Sequence, residues 1–234
     1  MPTIRKEPTT SSASRAANLA DELIVRIRRA IYQGVYVPGQ RLVEADLIEH
    51  FKTSRGPARE ALRRLSAEGI VQLVPNRGAM VRRLGIKEMD GLFRIREALE
   101  GLAARLAAER VADPKVRPRF VKALDAIDVG TLDEQPEAFG ERNRRFHQLI
   151  FDFADNEQLL RSLQQMQLPL MRLQMRASID RSFREHSVRE HEDVARALLA
   201  ADPDAAEAAM RAHLRGARQR VVALAEREKQ QTDV

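Results

Sequence analysis

Apolar residues recur at three- and four-residue spacing from Leu19 to Ile31 and stop at Gly34. That period predicts an amphipathic helix that ends at a glycine. A second, short helix is expected over roughly 44–51, and the connection that follows it, 52–54, is too short for anything but a sharp corner between helices. Two successive helices around a tight corner are typical of a helix-turn-helix.

The segment after that corner predicts a third helix and a hairpin. Ser54 is a favourable N-cap residue, Pro57 falls in the first turn, where its missing N–H costs little, and Gly69 stands where a left-handed C-cap residue is wanted. The short apolar runs 70–74 and 79–81 then flank a Pro-Asn-Arg-Gly turn, which predicts a β-hairpin. The order helix, helix, tight turn, helix, hairpin is that of a winged helix-turn-helix.

From residue 86 onward the chain is a series of long alanine- and leucine-rich amphipathic stretches with no strand pattern. Proline, glycine and polar breaks divide it into about six helices, expected near 87–111, 115–128, 135–154, 157–180, 184–200 and 203–229. Connections this short make sequential helices neighbours, so we predict an all-α bundle.

The predicted fold class is therefore mainly α, with an N-terminal winged helix-turn-helix and a C-terminal helical bundle. Residues 1–17 are polar, basic and rich in Ser and Thr, which indicates a flexible arm. The winged domain is expected over 18–85, the bundle over 86–229 and a short tail over 230–234.

Composition excludes several classes of protein. The 234 residues include no cysteine, so the chain has no disulfide framework, no thiolate metal site and no cysteine nucleophile. No apolar run approaches the roughly 18 residues of a membrane span. The first 17 residues contain no hydrophobic segment of the signal-peptide type. We expect a cytoplasmic protein with no membrane partner.

The positive charge is concentrated at one end of the chain. The formal net charge is +6, but residues 1–85 carry 15 Lys and Arg against 8 Asp and Glu, whereas residues 86–234 carry 25 against 26. A basic segment joined to a near-neutral remainder indicates that the first part meets a polyanion. Charge alone also allows an ordinary protein with a basic patch.

Three arginines line one face of the predicted third helix. Arg55, Arg59 and Arg63 follow each other at four-residue intervals, beginning at the N-terminal end of the helix. A guanidinium is the usual bidentate partner of guanine in the major groove of double-stranded DNA, and residues near the N-terminus of such a helix reach base edges. The alternative is a solvated face whose arginines pair with Glu60 or Glu68.

The tip of the predicted hairpin supplies a second set of candidate DNA contacts. Asn76, Arg77 and Gly78 would enter the adjacent groove or touch phosphate, and the glycine permits close approach of its backbone.

Several segments together carry a family resemblance: Gly34, Pro38-Gly39, Leu42-Val43-Glu44, the run from Ser54 to Leu62, Glu68-Gly69, and the turn 75–78. Through them residues 19–84 resemble the DNA-binding domain of the GntR family of bacterial transcription regulators. The resemblance implies that Ser54, Arg55, Arg59 and the wing glycine Gly78 contact DNA. The family commonly has a glycine followed by valine in the turn, where this chain has Lys52-Thr53. A left-handed Lys52 would cost about 1 kcal/mol, which a phosphate contact by its ammonium would offset.

Three histidines occupy the middle of predicted bundle helices. His147, His191 and His213 can converge from three helices, and Asn143, one turn before His147, shares its face. Neutral imidazoles with an oxygen donor suit zinc or nickel. Each histidine taken alone is equally compatible with a surface or hydrogen-bonded core residue.

A second resemblance rests on the segments Arg96–Glu100, Asn143–His147, Glu190–Glu192 and Met210–Leu214. Through them residues 86–229 resemble the FCD ligand-binding domain of the FadR subfamily. The resemblance implies a divalent metal held by an acidic residue and three histidines, in a cavity that also takes a small carboxylic acid. The ligands here would be Asn143, His147, His191 and His213.

The resemblance also names residues for the acid. Arg96, which matches the arginine of the family's Arg-x-x-Leu-Glu segment, is the candidate to clamp the effector carboxylate, with Arg172 as a second candidate. Both are equally compatible with ordinary surface or ion-paired arginines. Asn143 stands where aspartate is more usual in the family. An amide oxygen brings no charge, so we expect weaker metal binding that an anionic effector would strengthen.

The sequence thus predicts a homodimeric, ligand-responsive transcription regulator, most often a repressor in this family, that reads an inverted repeat. The rival is a helical metalloenzyme with an accessory nucleic-acid domain, because three histidines also describe a catalytic zinc site. Such an enzyme needs a general base. Glu190 and Glu192 flank His191 but point off its face, and no HExxH spacing occurs, so we expect no enzymatic activity. A metal that is itself the signal stays possible.

Overall fold

The computed structural model describes residues 10–74, 78–132, 135–166, 168–175 and 179–232. The chain divides into two compact units, Met1–Arg83 and Leu84–Val234, where the sequence placed the boundary between 85 and 86. The predicted fold class is confirmed: the described residues form ten helices and one small sheet, arranged as a winged helix-turn-helix followed by a helical domain.

The first unit consists of α1 (Thr10–Tyr32), β1 (Arg41–Leu42), α2 (Glu44–Phe51), α3 (Arg55–Ala67), β2 (Val71–Val74) and β3 (Gly78–Val81). The three strands form an antiparallel sheet in the order β1-β3-β2, with Val74 opposite Gly78 at the end of the hairpin. The apolar stripe of α1 packs against α3, and Ile27, Ile31 and Leu65 are fully buried. The two-residue strand β1 was not expected, because a run this short carries no periodicity.

Two features of the first unit correct the sequence predictions. Helix α1 begins at Thr10, so residues 10–17 of the expected flexible arm are helical, while residues 1–9 lie outside the described part of the chain. This segment is rich in alanine, the strongest helix former, but it lacks the apolar period that marks a packed helix. Ser54 occupies the N-cap of α3, yet its side chain makes no capping hydrogen bond.

The second unit consists of α4 (Ile86–Val111), α5 (Arg117–Asp125), α6 (Pro136–Ala154), α7 (Glu157–Gln165), α8 (Leu168–Met175), α9 (Arg181–Leu199) and α10 (Pro203–Thr232). Helix α4 is central, because α6, α9 and α10 all pack against it. Small residues permit this close packing: Ala103, Ala104, Ala107 and Ala108 of α4 are fully buried. The predicted all-α bundle is thus built around one helix.

The described part of this unit holds seven helices instead of about six, because the helix expected over 157–180 is divided. Helix α7 ends at Gln165, Met166 has an extended backbone, and α8 then carries Pro169 in its first turn. The ring of a proline clashes with the carbonyl four residues before it, here that of Gln165, and so breaks a continuous helix. Helix α10 continues to Thr232, so the tail expected at 230–234 is helical over 230–232.

None of the helices in the described ranges is long and apolar enough to cross a membrane.

The backbone of Lys52 provides a test of the helix-turn-helix corner. Lys52 is left-handed, with φ 53° and ψ 49°, which costs a residue with a Cβ about 1–2 kcal/mol. We expect Lys52→Gly to raise the free energy of unfolding of the first unit by about 0.5–1 kcal/mol, after the greater unfolded-state entropy of glycine is allowed for. Both tyrosines of the chain, Tyr32 and Tyr36, lie in this unit, so urea unfolding followed by tyrosine fluorescence reports on it.

Lys52→Ala is the matched control, because it removes the same charge and keeps the Cβ. It should leave the unfolding midpoint unchanged. Equal midpoints for the glycine and alanine variants would show that the corner carries no backbone strain.

Candidate functional sites: a DNA-reading helix and a buried histidine cluster

Helix α3 presents its polar residues on the outside of the first unit. Ala58, Ala61 and Leu65 are fully buried against the rest of the unit. The candidate DNA contacts described on this helix are all exposed: Ser54, Arg55, Arg59 and Arg63. The apolar stripe of the helix therefore fixes its orientation and turns the three arginines outward.

The three arginines differ in their partners. Arg59 donates to Glu44 of α2 at 2.9 and 3.1 Å, and Arg63 donates to Glu60 at 2.8 and 2.9 Å. Arg55 makes no hydrogen bond or ion pair with any residue that the structure describes. Pairing along the helix, the alternative raised by the sequence, thus occurs for Arg63, whereas Glu68 binds Arg28 of α1 instead. Exposed pairs of this kind contribute at most about 1 kcal/mol and can be exchanged for contacts to phosphate.

The turn and wing residues are described in part. The backbone of Ser54 is extended, at φ −118° and ψ 172°, and its hydroxyl is left available because it caps nothing. Gly78 is exposed and has φ 82°, a conformation that side chains with a Cβ rarely adopt, so glycine is required at the start of β3. Asn76 and Arg77, predicted as hairpin-tip contacts, lie outside the described residues.

In the second unit three histidines meet in the core. His147 of α6, His191 of α9 and His213 of α10 are 1%, 3% and 3% exposed. One ring nitrogen from each lies within 4.8 Å of the others, and the Nε2 atoms of His191 and His213 are 3.3 Å apart. Two nitrogen ligands of one tetrahedral zinc ion are about 3.4 Å apart at ordinary bond lengths. The structure therefore brings together the three histidines that the sequence singled out.

Two glutamates hold the outer nitrogens of this cluster. His147 Nδ1 lies 2.6 Å from Glu100 Oε2, and His213 Nδ1 lies 2.9 Å from Glu190 Oε2. An ionised carboxylate only accepts, so both Nδ1 atoms carry the proton, and the Nε2 atom of the neutral His147 presents a lone pair. His147 Nε2 is buried and has no hydrogen-bond partner within the described ranges. Metal-ligating histidines commonly have a carboxylate behind the ring in this way, so the arrangement is compatible with a metal site.

Sequence reasoning missed the role of both glutamates. Glu190 does point away from its neighbour His191, as expected, but it meets His213 across the interface between α9 and α10. No local pattern reports such a contact. Glu100 did carry a signal, because Met89, Phe93, Arg96 and Glu100 follow one buried face of α4, and two charged residues in a core stripe require partners.

Each glutamate is also bound by an arginine. Arg96 donates to Glu100 at 2.6 Å, and Arg220 donates to Glu190 at 2.8 and 3.0 Å. Arg172 of α8 is half-buried and forms no hydrogen bond with the residues described here. Of the two arginines proposed from the sequence for an acid, Arg96 is therefore committed to a carboxylate of the protein and Arg172 is not.

Burial and charge determine the ionisation of the cluster. Burial lowers the pKa of His147 to about 4 despite the opposing charge of Glu100, and burial also lowers the pKa of His191 well below its ordinary value. Burial acts to raise the pKa of Glu100, but the charges of Arg96 and His147 outweigh it and hold that pKa well below the usual range. Burial and the charge of Arg96 lower the pKa of Arg172 to about 10. At neutral pH, His147 and His191 are thus neutral, Glu100 is ionised and Arg172 is charged.

The remaining predicted ligand and the other histidines lie around or outside this cluster. Asn143 is half-buried on α6, one turn before His147, and its amide makes no hydrogen bond with the described part of the chain. His186 is exposed and bonds to its own helix through Ser182 O at 2.7 Å. His50 packs against the ring of Phe51 in the first unit. Neither of these two histidines joins the cluster.

The residues present fit a divalent metal ion. Three convergent imidazoles, two of them fixed by carboxylates and one with an unpartnered Nε2, are the donor set that zinc and nickel prefer. A metal would be held by His147, His191 and His213, with the amide oxygen of Asn143 as the adjacent oxygen donor.

Comparison with known proteins agrees with both units. The sequence matches the family described as "Bacterial regulatory proteins, gntR family" over residues 19–81 and the FCD domain over residues 91–216. It is 29% identical over 188 residues to the HTH-type transcriptional repressor RspR of Escherichia coli (strain K12), which covers 80% of this chain and 82% of that protein. It is 30% identical over 207 residues to the probable D-xylose utilization operon transcriptional repressor of Paenarthrobacter nicotinovorans, covering 88% and 89%.

Solved structures show the same fold. The structure of a putative transcriptional regulator GntR from Rhodococcus sp. RHA1 aligns with a TM-score of 0.69 and 23% identity, over 90% of this chain and 98% of that chain.

Arg55 is the residue whose removal should change DNA reading. We expect Arg55→Ala to weaken binding to a DNA site selected by the wild-type protein from a random library by about 1–3 kcal/mol, and to relax one base position. Arg29→Ala, which removes an exposed arginine from α1, is the control and should cause a smaller loss that is uniform across sequences. Fluorescence anisotropy and footprinting measure both. An unchanged footprint for Arg55→Ala would argue against α3 as the recognition helix.

The depressed pKa of His147 makes the stability of the second unit depend on pH. The unfolded chain takes up a proton near pH 6.5 and the folded chain only near pH 4, so acid favours unfolding between these values. In metal-free protein we expect His147 alone to lower the free energy of unfolding by up to about 1.4 kcal/mol per pH unit across that window, and the buried His191 to add to this slope. Circular dichroism melting at several pH values measures it. The slope should be shallower in His147→Gln and unchanged in His186→Gln, whose exposed ring lies outside the cluster.

Proposed function

Because the chain belongs to the GntR family of bacterial regulatory proteins and carries an FCD domain, we propose that it is a transcription repressor whose DNA binding responds to a ligand of the second unit. The observation that carries the DNA-binding part is the exposed guanidinium of Arg55 at the N-terminal end of α3, which has no partner among the described residues. Similarity to named repressors, RspR and the D-xylose operon regulator, supports repression as the direction of control.

The proposed regulator acts by binding and not by catalysis. The two carboxylates that contact the histidine cluster, Glu100 and Glu190, are each shared between a histidine Nδ1 and an arginine. A carboxylate engaged on both sides is a poor general base, which is the group that a hydrolytic metal site needs.

The working form is a homodimer. Ile95 and Leu102 are 52% and 39% exposed, and with the exposed Ala98 they form an apolar stripe along α4. Residues at these spacings share one helix face, and a face of this kind suits association with its own copy about a two-fold axis. Two winged domains related in this way read an inverted repeat in double-stranded DNA.

The ligand is a small carboxylic acid bound at Arg172, together with a divalent metal, zinc or nickel, at His147, His191 and His213. Arg172 is the residue that supports an acid as the ligand. Its guanidinium is half-buried and has no hydrogen-bond partner among the described residues, so it can donate two parallel N–H···O bonds to a carboxylate. Arg96, the first candidate from the sequence, is not proposed to bind the acid directly, because its guanidinium already donates to Glu100.

Charge supports binding of the acid and the metal together. The arginines Arg96, Arg172 and Arg220 outnumber the glutamates Glu100 and Glu190, so these buried and half-buried groups sum to one positive charge when the histidines are neutral. A metal dication held by imidazoles and the uncharged Asn143 would add two more. A carboxylate beside it would reduce this excess of positive charge.

The test combines DNA binding with removal and return of the ligands. Metal-stripped, full-length protein should select an inverted repeat from a random DNA library and elute as a dimer in size-exclusion chromatography with light scattering. Adding nickel or zinc together with acids from a panel of small carboxylates should change the affinity for this DNA by about 5-fold or more.

Two variants separate the parts of the proposal. His191→Ala should lose the response to metal while retaining the metal-free DNA affinity, and Arg172→Ala should lose the response to acid. A response to metal that no acid alters would identify the metal itself as the signal. DNA affinity that neither metal nor any acid of the panel changes would contradict a ligand-responsive regulator.

A further inference from the structure

Helices α6 and α9 run side by side in the same direction. The ring centroids of Phe139 and Phe183 are 6.4 Å apart, and those of His147 and His191 are 5.5 Å apart. All four side chains are buried. Because two turns of helix separate the first contact from the second on each side, the two helices are parallel and in register over this stretch.

The turn between these two contacts carries Asn143 on α6 and Ser187 on α9. A residue one turn from each of two others shares their helix face, so both side chains face the space between α6 and α9. Helical side chains lean toward the N-terminus of their helix, which brings the rings of His147 and His191 over this same turn. Asn143 and Ser187, here called the polar layer, therefore lie directly beside the histidine cluster.

The hydroxyl of Ser187 is buried without a partner in the described chain. Ser187 is 1% exposed, and its Oγ makes no hydrogen bond with any residue that the structure describes. A serine inside a helix can bond the carbonyl one turn before it, as Ser162 of α7 does with Gln158 O at 2.9 Å. Ser187 makes no such bond with Phe183. A buried hydroxyl without a hydrogen bond is costly, so this one points to a bound group that supplies the partner.

A carboxylate beside the proposed metal would be such a group. Its charge is opposite to that of a dication held by neutral imidazoles, and its oxygens only accept hydrogen bonds. Ser187 offers a buried donor one turn from His191. Asn143, across the polar layer, is half-buried and has no hydrogen-bond partner among the described residues, so its amide N–H groups are available to the same ligand when its oxygen faces the metal.

On this basis, which rests on the metal and the acid of the proposed function, we propose that Ser187 is a ligand-binding residue: its hydroxyl donates a hydrogen bond to a small carboxylate that lies between α6 and α9 beside the metal. Ser187 acts on the acid and not on the metal, because its Oγ makes no hydrogen bond to any of the three imidazoles. Binding of metal alone therefore does not need this hydroxyl, whereas joint binding of metal and acid does.

Calorimetric titration of nickel into metal-stripped, full-length protein tests the assignment, with acetate as the carboxylate probe. Titrations are run in sodium acetate and in sodium chloride of equal ionic strength, and the ratio of the two nickel affinities is compared between variants. The wild-type protein should bind nickel about 5-fold or more tightly in acetate. Ser187→Ala should match wild type in chloride, but its ratio should fall to about one, because loss of a hydrogen bond to a charged group weakens acetate binding about 10-fold or more.

Ser162→Ala is the matched control. It also removes a serine hydroxyl from a helix, but one that is exposed and bonds its own helix. This variant should keep the wild-type ratio.

Thermal unfolding of the metal-free proteins, followed by circular dichroism, separates a ligand-binding role from a structural one. Ser187→Ala should melt no lower than wild type, since the hydroxyl that it removes has no partner in the described part of the chain. A lower melting temperature would show that the hydroxyl stabilises the protein itself, and would overturn the assignment.

The titrations distinguish failure of this assignment from failure of the proposed function. A wild-type ratio retained in Ser187→Ala, weaker nickel binding by this variant in chloride, or an equal loss of the ratio in Ser162→Ala would overturn the role of Ser187 alone. A ratio of one in the wild-type protein would overturn joint binding of acid and metal. A wild-type protein that binds no nickel in either salt would overturn the metal site, and the assignment of Ser187 fails in both of these cases.

Discussion

The arrangement of the histidine cluster in the second unit depends on one buried carboxylate, that of Glu100. Glu100 is fully enclosed by protein, and an isolated charge in that position would cost several kcal/mol, so it must be paired. Its two partners come from its own helix and from α6, which means that the same side chain links Arg96 to His147 and joins α4 to α6. Because α4 is also the helix against which α9 and α10 pack, the cluster that these helices form is tied to the core of the unit through Glu100.

Charged groups are used in opposite ways in the two units. On α3 the ion pairs are exposed, contribute little to stability and can be exchanged for phosphate contacts, so the arginines remain available to DNA. Around the histidines the pairs are buried or half-buried, so exchanging a partner there has a larger energetic consequence than on α3. The first arrangement suits reversible association with a polyanion, and the second suits a site that discriminates between bound and free states.

Much of the architecture could be predicted from the sequence, because it depends on local period and on a few conformationally special residues. The three helices of the helix-turn-helix, the hairpin after them and the helical character of everything beyond residue 86 all appeared in the pattern. The predictions failed where a feature had no period, as in β1 and the first turns of α1, and where one residue overruled a continuous pattern, as Pro169 does between α7 and α8.

The sequence by itself determined which residues were available for chemistry: arginines at four-residue intervals on α3, histidines in the middle of three helices, and an amide at Asn143 in place of a carboxylate. Only the tertiary structure decided how they are used. It paired Arg59 with Glu44 and Arg63 with Glu60, and it turned Glu190 toward His213. It also paired Arg96 with Glu100, whereas Arg55 and Arg172 have no hydrogen-bond partner in the described part of the chain. These pairings depend on contacts between helices that are distant in the chain. A buried charge must be paired, but local sequence spacing does not specify which residue is its partner.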